Sequence, residues 1–148
     1  MAVKNKYSAQ KITVDGIKFD SKVEAEYYEH LLQKQKAGYI KEIELQPVLN
    51  IHPAFEYYGK KRQKMYYKLD FRVKYHDDYE VWIDIKGMAT PDAKMKRKIT
   101  EYMHKDKHII WISKSIKYGD KYGFIEYDEL VKIRAANKRA ANKMKRGK

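Results

Sequence analysis

The sequence predicts an α/β protein: a mixed central sheet flanked by helices, with elements in the order α-β-β-β-α-β. Three observations carry that prediction. Residues 65–75 alternate strictly, with Tyr67, Leu69, Phe71 and Val73 opposed to Lys68, Asp70, Arg72 and Lys74, the period of a half-buried strand. Residues 80–86 repeat the pattern, with Val81, Ile83 and Ile85 opposed to Trp82, Asp84 and Lys86. Two helix starts bracket these strands. Ser21 and Glu24 have the spacing of a capping box. Thr90-Pro91-Asp92 supplies a cap, a proline at the first helical position and an acid at the positive end of the helix.

The remaining elements follow in order. Residues 1–11 are polar and read as loosely ordered. Asp15-Gly16 lies between short apolar runs at 12–19 and marks a small hairpin. The first helix carries a stripe of Val23, Tyr27 and Leu31, widened by Tyr28 and Leu32, and ends at Gly38. Residues 44–51 read as a strand crossed by Pro47, which implies an edge or a bulge. Residues 52–64 read as a loop, and His76-Asp77-Asp78-Tyr79 as the turn between the two alternating strands. The second helix runs to about Lys105, with Met95, Ile99, Tyr102 and Met103 expected inward and Lys94, Arg97, Lys98 and Lys105 outward. A short apolar strand at 108–113, a glycine-containing loop and a further short strand at 124–127 precede a helix near 128–143.

Composition narrows the function. With 148 residues the chain suits one domain with a real core. It has no cysteine, which excludes a disulfide scaffold and any cysteine-ligated metal site. No apolar run is long enough for a membrane span, and the first ten residues lack a signal-peptide core. A soluble, cytoplasmic protein is therefore expected. The formal charge is +13, from 33 Lys+Arg against 20 Asp+Glu, and its natural partner is a polyanion, nucleic acid first. Eight of the basic residues and no acid fall in 131–148, leaving 25 basic against 20 acidic residues before them. Residues 1–128 are thus read as the domain and 129–148 as a basic, partly helical tail. Arg134, Lys138, Arg139 and Lys143 belong to a repeated Arg-Ala-Ala-Asn-Lys unit, suited to a phosphate-binding arm as well as to a solvated helix.

The alternating strands allow a sharper deduction. If both apolar faces are to be buried together, Asp70 and Asp84 must share the other face. That requires an odd-numbered loop or a bulge between the strands. Opposed Cβ atoms lie roughly 4.5–5.5 Å apart, so two carboxylates would repel unless a proton, a lysine or a divalent cation stood between them. Lys86, two residues past Asp84, lies on the same face. Paired acidic oxygens with an open side suit Mg²⁺ or Mn²⁺, and the same residues equally suit a cross-strand ion network with Arg72.

In their order, Lys6-Tyr7, the run from Phe19 to Ala25, Glu44-Leu45-Gln46-Pro47, Asp70-Phe71 and Asp84-Ile85-Lys86-Gly87 resemble the PD-(D/E)xK nuclease superfamily, and within it small phage-encoded endonucleases akin to Holliday-junction resolvases. The resemblance covers about residues 4–115. It implies a restriction-endonuclease-like core. It also implies roles: Asp70 and Asp84 as metal ligands with the Ile85 carbonyl, Lys86 as catalytic lysine, Glu24 as a helical acid reaching the metal, and Gln46 as an orienting residue. The literal Pro91-Asp92 follows the Asp-x-Lys and reads as a helix start. The implied activity is Mg²⁺- or Mn²⁺-dependent cleavage of DNA, branched DNA included, by a homodimer in a phage-infected or lysogenic host. Lys94, Arg97, Lys98 and the four tail cations would hold phosphates. The alternative is a non-catalytic nucleic-acid-binding module on the same fold. The capping box alone also accounts for Glu24, and aromatics interleaved with cations at Tyr57-Tyr58, 60–64 and Tyr66-Tyr67 suit either base stacking or a strand entrance.

Overall fold

The computed structural model describes residues 12–147. The polar N-terminal stretch and the Lys6-Tyr7 block lie outside the described residues. In chain order the elements are β1 (Ile12–Val14), β2 (Ile17–Phe19), α1 (Lys22–Lys36), β3 (Ile40–Leu45), β4 (Val48–His52), β5 (Phe55–Tyr57), β6 (Lys60–Arg62), β7 (Met65–Lys68), β8 (Phe71–Tyr75), β9 (Glu80–Ile85), α2 (Pro91–Met103), β10 (Ile109–Lys114), β11 (Phe124–Glu126) and α3 (Tyr127–Arg146). The central sheet has the strand order β11-β10-β9-β8-β3. It is mixed: β9 and β10 run parallel across the α2 crossover, and the other neighbours are antiparallel. The predicted α-β-β-β-α-β order is met by α1, β3, β8, β9, α2 and β10.

Local chemistry sets the ends. Ser21 Oγ accepts from the Glu24 N–H at 3.1 Å and caps α1. Past Gly38, the Tyr39 N–H donates to the Lys34 carbonyl and closes that helix. Asp15 and Gly16 both have positive φ, the two-residue turn that matches strand twist. Thr90 Oγ1 accepts from the Ala93 N–H at the start of α2. The α1 stripe is buried at Tyr27, Tyr28 and Leu31 against Phe71, Val73, Val81 and Ile83 of the sheet.

Two cores lie on opposite faces. Val81 and Ile83 face α1, while Trp82, their neighbour along β9, packs with Leu49, Ile51, Tyr67, Leu69 and Ile109. This corrects the reading of 65–75 as one strand with one buried face. The segment breaks at Leu69-Asp70. Tyr67 and Leu69 enter the core on the Trp82 side, and Phe71 and Val73 enter the core under α1. The partner strand breaks at the matching place. Gln46 adopts φ +53 ahead of Pro47, and the two breaks are stitched by Gln46 N–H to Asp70 O and Leu69 N–H to Pro47 O, both 2.9 Å. Alternation survives such a kink, so it cannot reveal which core each half serves.

Two further expectations are corrected. Residues 52–64 are not an open loop: β5 and β6 form a hairpin turned by Tyr58-Gly59, both with positive φ. The inward face of α2 is also different. Met95, Ile99, Tyr102 and Met103 are exposed, whereas Ala93, Lys96, Arg97 and Thr100 turn inward. The cause is the surface that α2 covers. It presents aromatic rings with polar handles, and the aliphatic stems and charges of Lys96 and Arg97 lie over Tyr67 and Trp111. Finally, the expected domain boundary at 128/129 falls inside the continuous helix α3. Its first turns dock through Tyr127 and the buried Leu130, and its residues from 136 onward are exposed.

Candidate active site

The β8–β9 hairpin fixes the register of the acids. Tyr75 N–H donates to Tyr79 O across a three-residue turn in which Asp78 has φ +66. The ladder then runs Lys74 to Glu80, Val73 to Val81, Arg72 to Trp82 and Phe71 to Ile83. Regular pairing stops there, and the strand break that follows leaves Asp70 beside Asp84, with their carboxyl groups within reach of each other. Asp70 sits at the strand break and is held there by main-chain bonds. Its N–H donates to Ile83 O at 3.0 Å, and its Oδ2 accepts from the Ile85 N–H at 2.7 Å. Ile85 is thus engaged with Asp70 through its amide proton.

Asp84 is buried at 5% exposure. Its Oδ2 accepts from the Tyr67 hydroxyl at 2.6 Å and stands 2.9 Å from Lys86 Nζ. Tyr67 in turn accepts from Trp111 Nε1 at 2.7 Å. Trp111 lies beside Asp84 in the parallel register of β9 and β10. Ser113, two residues on, donates to the Lys86 carbonyl at 2.6 Å and pins the end of β9. The Lys86 ammonium also sits 5.4 Å from the Trp111 ring centre, and Arg97 stacks on the same ring at 3.9 Å. Neither Tyr67 nor Trp111 stands out as a site residue in the sequence. Tyr67 reads as one more apolar position in an alternating strand, and Trp111 lies 44 residues away from it.

The electrostatics follow from this crowding. Burial first, then the hydrogen bond and charge of Asp84, push the Asp70 carboxyl up to about 8, while the Ile85 N–H pulls it down. Burial and the Asp84 charge also raise Tyr67, which keeps it a donor. Glu24 is raised by burial, by Asp20 and by Asp84, against stabilising hydrogen bonds from Ser21 and the Asp20 backbone. Arg72, the cation that could have joined an acid network, is spent elsewhere: it pairs with Glu44 at 2.5 Å, Glu80 at 3.0 Å and Glu42 at 3.4 Å. Among the described residues Lys86 is the one ion-pair partner of Asp84, and Asp70 has none.

Glu24, Gln46 and Asp70 line one cavity of about 230 Å³, with Leu45 and Phe71 in its wall. Three residues singled out in the sequence therefore meet in one cavity, from α1, the β3–β4 break and the β7–β8 break, while Asp84 adjoins it through Asp70 and holds Lys86. Glu24 shares the cavity without completing a metal cluster: among the described residues no three His, Asp or Glu side chains stand close enough to hold an ion between them. A two-carboxylate pair does suit Mg²⁺, which keeps most of its water and takes one or two carboxylates. It does not suit a closed structural site. Of the expected phosphate contacts, Lys94, Lys98, Arg134, Lys138, Arg139 and Lys143 are exposed. Arg97 is not free, since it lies on Trp111 and pairs with Asp128 at 3.0 Å. His104 and His108, at helical spacing, go to separate partners, the Asn50 carbonyl and the Tyr79 hydroxyl.

A family model described as a protein of unknown function, DUF1064, matches residues 4–120. The chain belongs to this family. The DUF1064 match spans Glu24, Gln46, Asp70, Asp84 and Lys86 and the β5–β6 hairpin, and it ends ahead of β11 and α3. No curated protein and no solved structure matches the chain. No helix among the described residues is long and apolar enough to cross a membrane.

Proposed function

We propose that this protein is a Mg²⁺- or Mn²⁺-dependent DNA endonuclease of the PD-(D/E)xK kind. One observation carries the reading. Two carboxylates are brought together at a built kink, and one of them, Asp70, is driven toward its neutral form by burial and by the other's hydrogen bond and charge. A fold that tolerates this cost has a use for it. Asp70 and Asp84 would hold the ion, with Glu24 and Gln46 lining the approach. Bound there, the ion would supply an activated water and neutralise charge on the phosphodiester. Lys86 sits where it can steady the charge that develops on phosphate oxygens. Tyr67 and Trp111 hold the Asp84 carboxylate in one orientation, the service that partners outside the ligand set give a metal site.

The surrounding charge fits a polyanionic substrate. Lys94 and Lys98 on α2, and Arg134, Lys138, Arg139 and Lys143 on the exposed half of α3, are available for phosphates. Branched DNA, cut by two copies acting together in a phage or lysogenic setting, is the substrate that the sequence resemblance favours. The same exposed cations suit a second reading, a non-catalytic DNA-binding module on the same fold.

Cleavage of linear and branched DNA with Mg²⁺ separates the two. The expected result is Mg²⁺-dependent cutting by the wild type that is lost in Asp84→Asn and in Lys86→Ala. Equal cutting by wild type and variants overturns the assignment. Binding without cutting by the wild type establishes the module instead.

A further inference from the structure

The β5–β6 hairpin has no role in the site, yet its construction is specific. Every residue from 53 to 66 is exposed, so the hairpin gains nothing from a core. Two-stranded hairpins are marginal in water on their own. This one is set by a two-residue turn, and its pairs sort its side chains by face. Phe55 pairs with Arg62, Tyr57 with Lys60, and Glu56 with Lys61. Paired residues share a face, so one side presents Phe55, Tyr57, Lys60 and Arg62 together, and the other presents Glu56 and Lys61. Tyr58 stands at the tip at 89% exposure, with its ring against that of Tyr57. Lys64 follows at the base, its ammonium over the Tyr66 ring.

We propose that this hairpin is a DNA-binding arm, with the Phe55–Tyr57–Lys60–Arg62 face against the nucleic acid and Tyr58 stacked on a base at its tip. Cations beside flat rings match phosphates beside bases. Stacking is tolerant of sequence because every base has a π-face. A two-stranded ribbon also fits the width of the DNA major groove. The arm is joined to the acid pair by continuous backbone: β4 and β7 lead from it directly to Gln46 and Asp70. At about 3.3 Å per residue the chain from Tyr58 to Asp70 spans at most ~40 Å. That is about one turn of duplex, so arm and acids can engage one DNA molecule. The inference rests on the nuclease reading only for the identity of the polyanion.

Equilibrium binding of the full chain to fluorescent duplex, single-stranded and four-way-branched DNA, in EDTA and across a salt series, tests it. Lys60→Ala/Arg62→Ala should weaken binding to all three and lower the slope of log affinity against log salt by up to ~1.8, about 0.9 for each phosphate no longer neutralised. Tyr57→Ala/Tyr58→Ala should leave that slope in place and weaken binding to single-stranded and branched DNA by roughly 10-fold or more. Thermal midpoints should match the wild type, since these side chains are exposed. Wild-type affinity and slope in both variants overturn the proposal. So does a wild-type chain that prefers single-stranded RNA to every DNA offered. Hairpin variants that lose affinity in a chain that never cuts DNA would sink the enzyme alone. Hairpin variants that bind normally in a chain that cuts would sink the arm alone.

Discussion

The Tyr67 hydroxyl donates to Asp84 Oδ2 at 2.6 Å while accepting from Trp111 Nε1. One phenolic oxygen therefore satisfies two buried groups and couples the second core to the acid pair. Tyr67→Phe keeps the ring but strands both partners. The expected loss is about 1–3 kcal/mol of stability, read from denaturant midpoints. Because the Asp84 carboxylate is also released to rotate, cleavage should fall about 10- to 100-fold. Trp111→Phe, which removes the donor to Tyr67 together with part of the ring under Arg97, should cost less activity than Tyr67→Phe because the hydroxyl still reaches Asp84. The reverse order would show that the indole, and not the hydroxyl, governs the site.

The Asp70 carboxyl predicts how stability responds to pH. Its folded value, about 8, lies above the ordinary carboxylate range. The folded state therefore holds this proton more tightly than the unfolded chain does. That contribution is fully present below about pH 4 and is lost as pH rises through about 8. Metal-free protein should lose thermal stability across that window, and Asp70→Asn should be the more stable chain at pH 8 and should show less of the decline. Mg²⁺ should raise the midpoint of the wild type and not of Asp70→Asn. A flat pH profile shared by the two chains, measured by scanning calorimetry in EDTA, would contradict the coupling of these acids.

Which of these relationships can be read in advance depends on range. The closeness of Asp70 and Asp84 is legible because strand period is two and both apolar faces have to be buried, which leaves an odd loop or a bulge. The caps at Ser21 and Thr90 and the Asp15-Gly16 turn are legible because their chemistry is local. The kink at Leu69-Asp70 is hidden, since Tyr67 and Phe71 keep their phase while serving different cores. The α2 face misleads because Met95 and Ile99 look apolar in isolation. What decides the face is a distant surface, Tyr67 and Trp111, whose rings favour the cations of Lys96 and Arg97. The hairpin at 55–62 leaves no burial pattern to detect, as both of its faces meet solvent.

Lys86 should separate chemistry from folding. Its ammonium is the ion-pair partner of Asp84, and its side chain is only partly buried, at 25% exposure. Lys86→Ala should reduce cleavage by about 100-fold or more, in line with loss of one preorganised charge at a reacting centre. DNA affinity, set by more distant cations, should change by less than about 2-fold, since one phosphate interaction of many is removed. The variant should also be less stable without metal, because Asp84 loses its neighbour. Adding Asp84→Asn should restore part of that stability while restoring no activity. Additive stability losses in this double-mutant cycle would mean that the pair does not interact in solution.

The tail makes a prediction that depends on where α3 is cut. Leu130 is buried at 2% exposure, Tyr127 packs edge-on against Trp111, and Asp128 holds Arg97 on that same ring. The start of α3 thus belongs to the domain, and only its later turns project. A chain ending at Ala136 keeps all three interactions while giving up Lys138, Arg139 and Lys143. Its thermal midpoint should equal that of the full chain, and its DNA-binding salt slope should drop by about 0.9 for each phosphate that those cations neutralise. A chain ending at Glu129 gives up Leu130 as well, and should be destabilised by about 2–5 kcal/mol, the range for emptying a buried leucine site. If the Ala136 chain binds DNA with unchanged slope, the projecting half of α3 is a solvated helix and the phosphates are held by α2 and the rest of the domain.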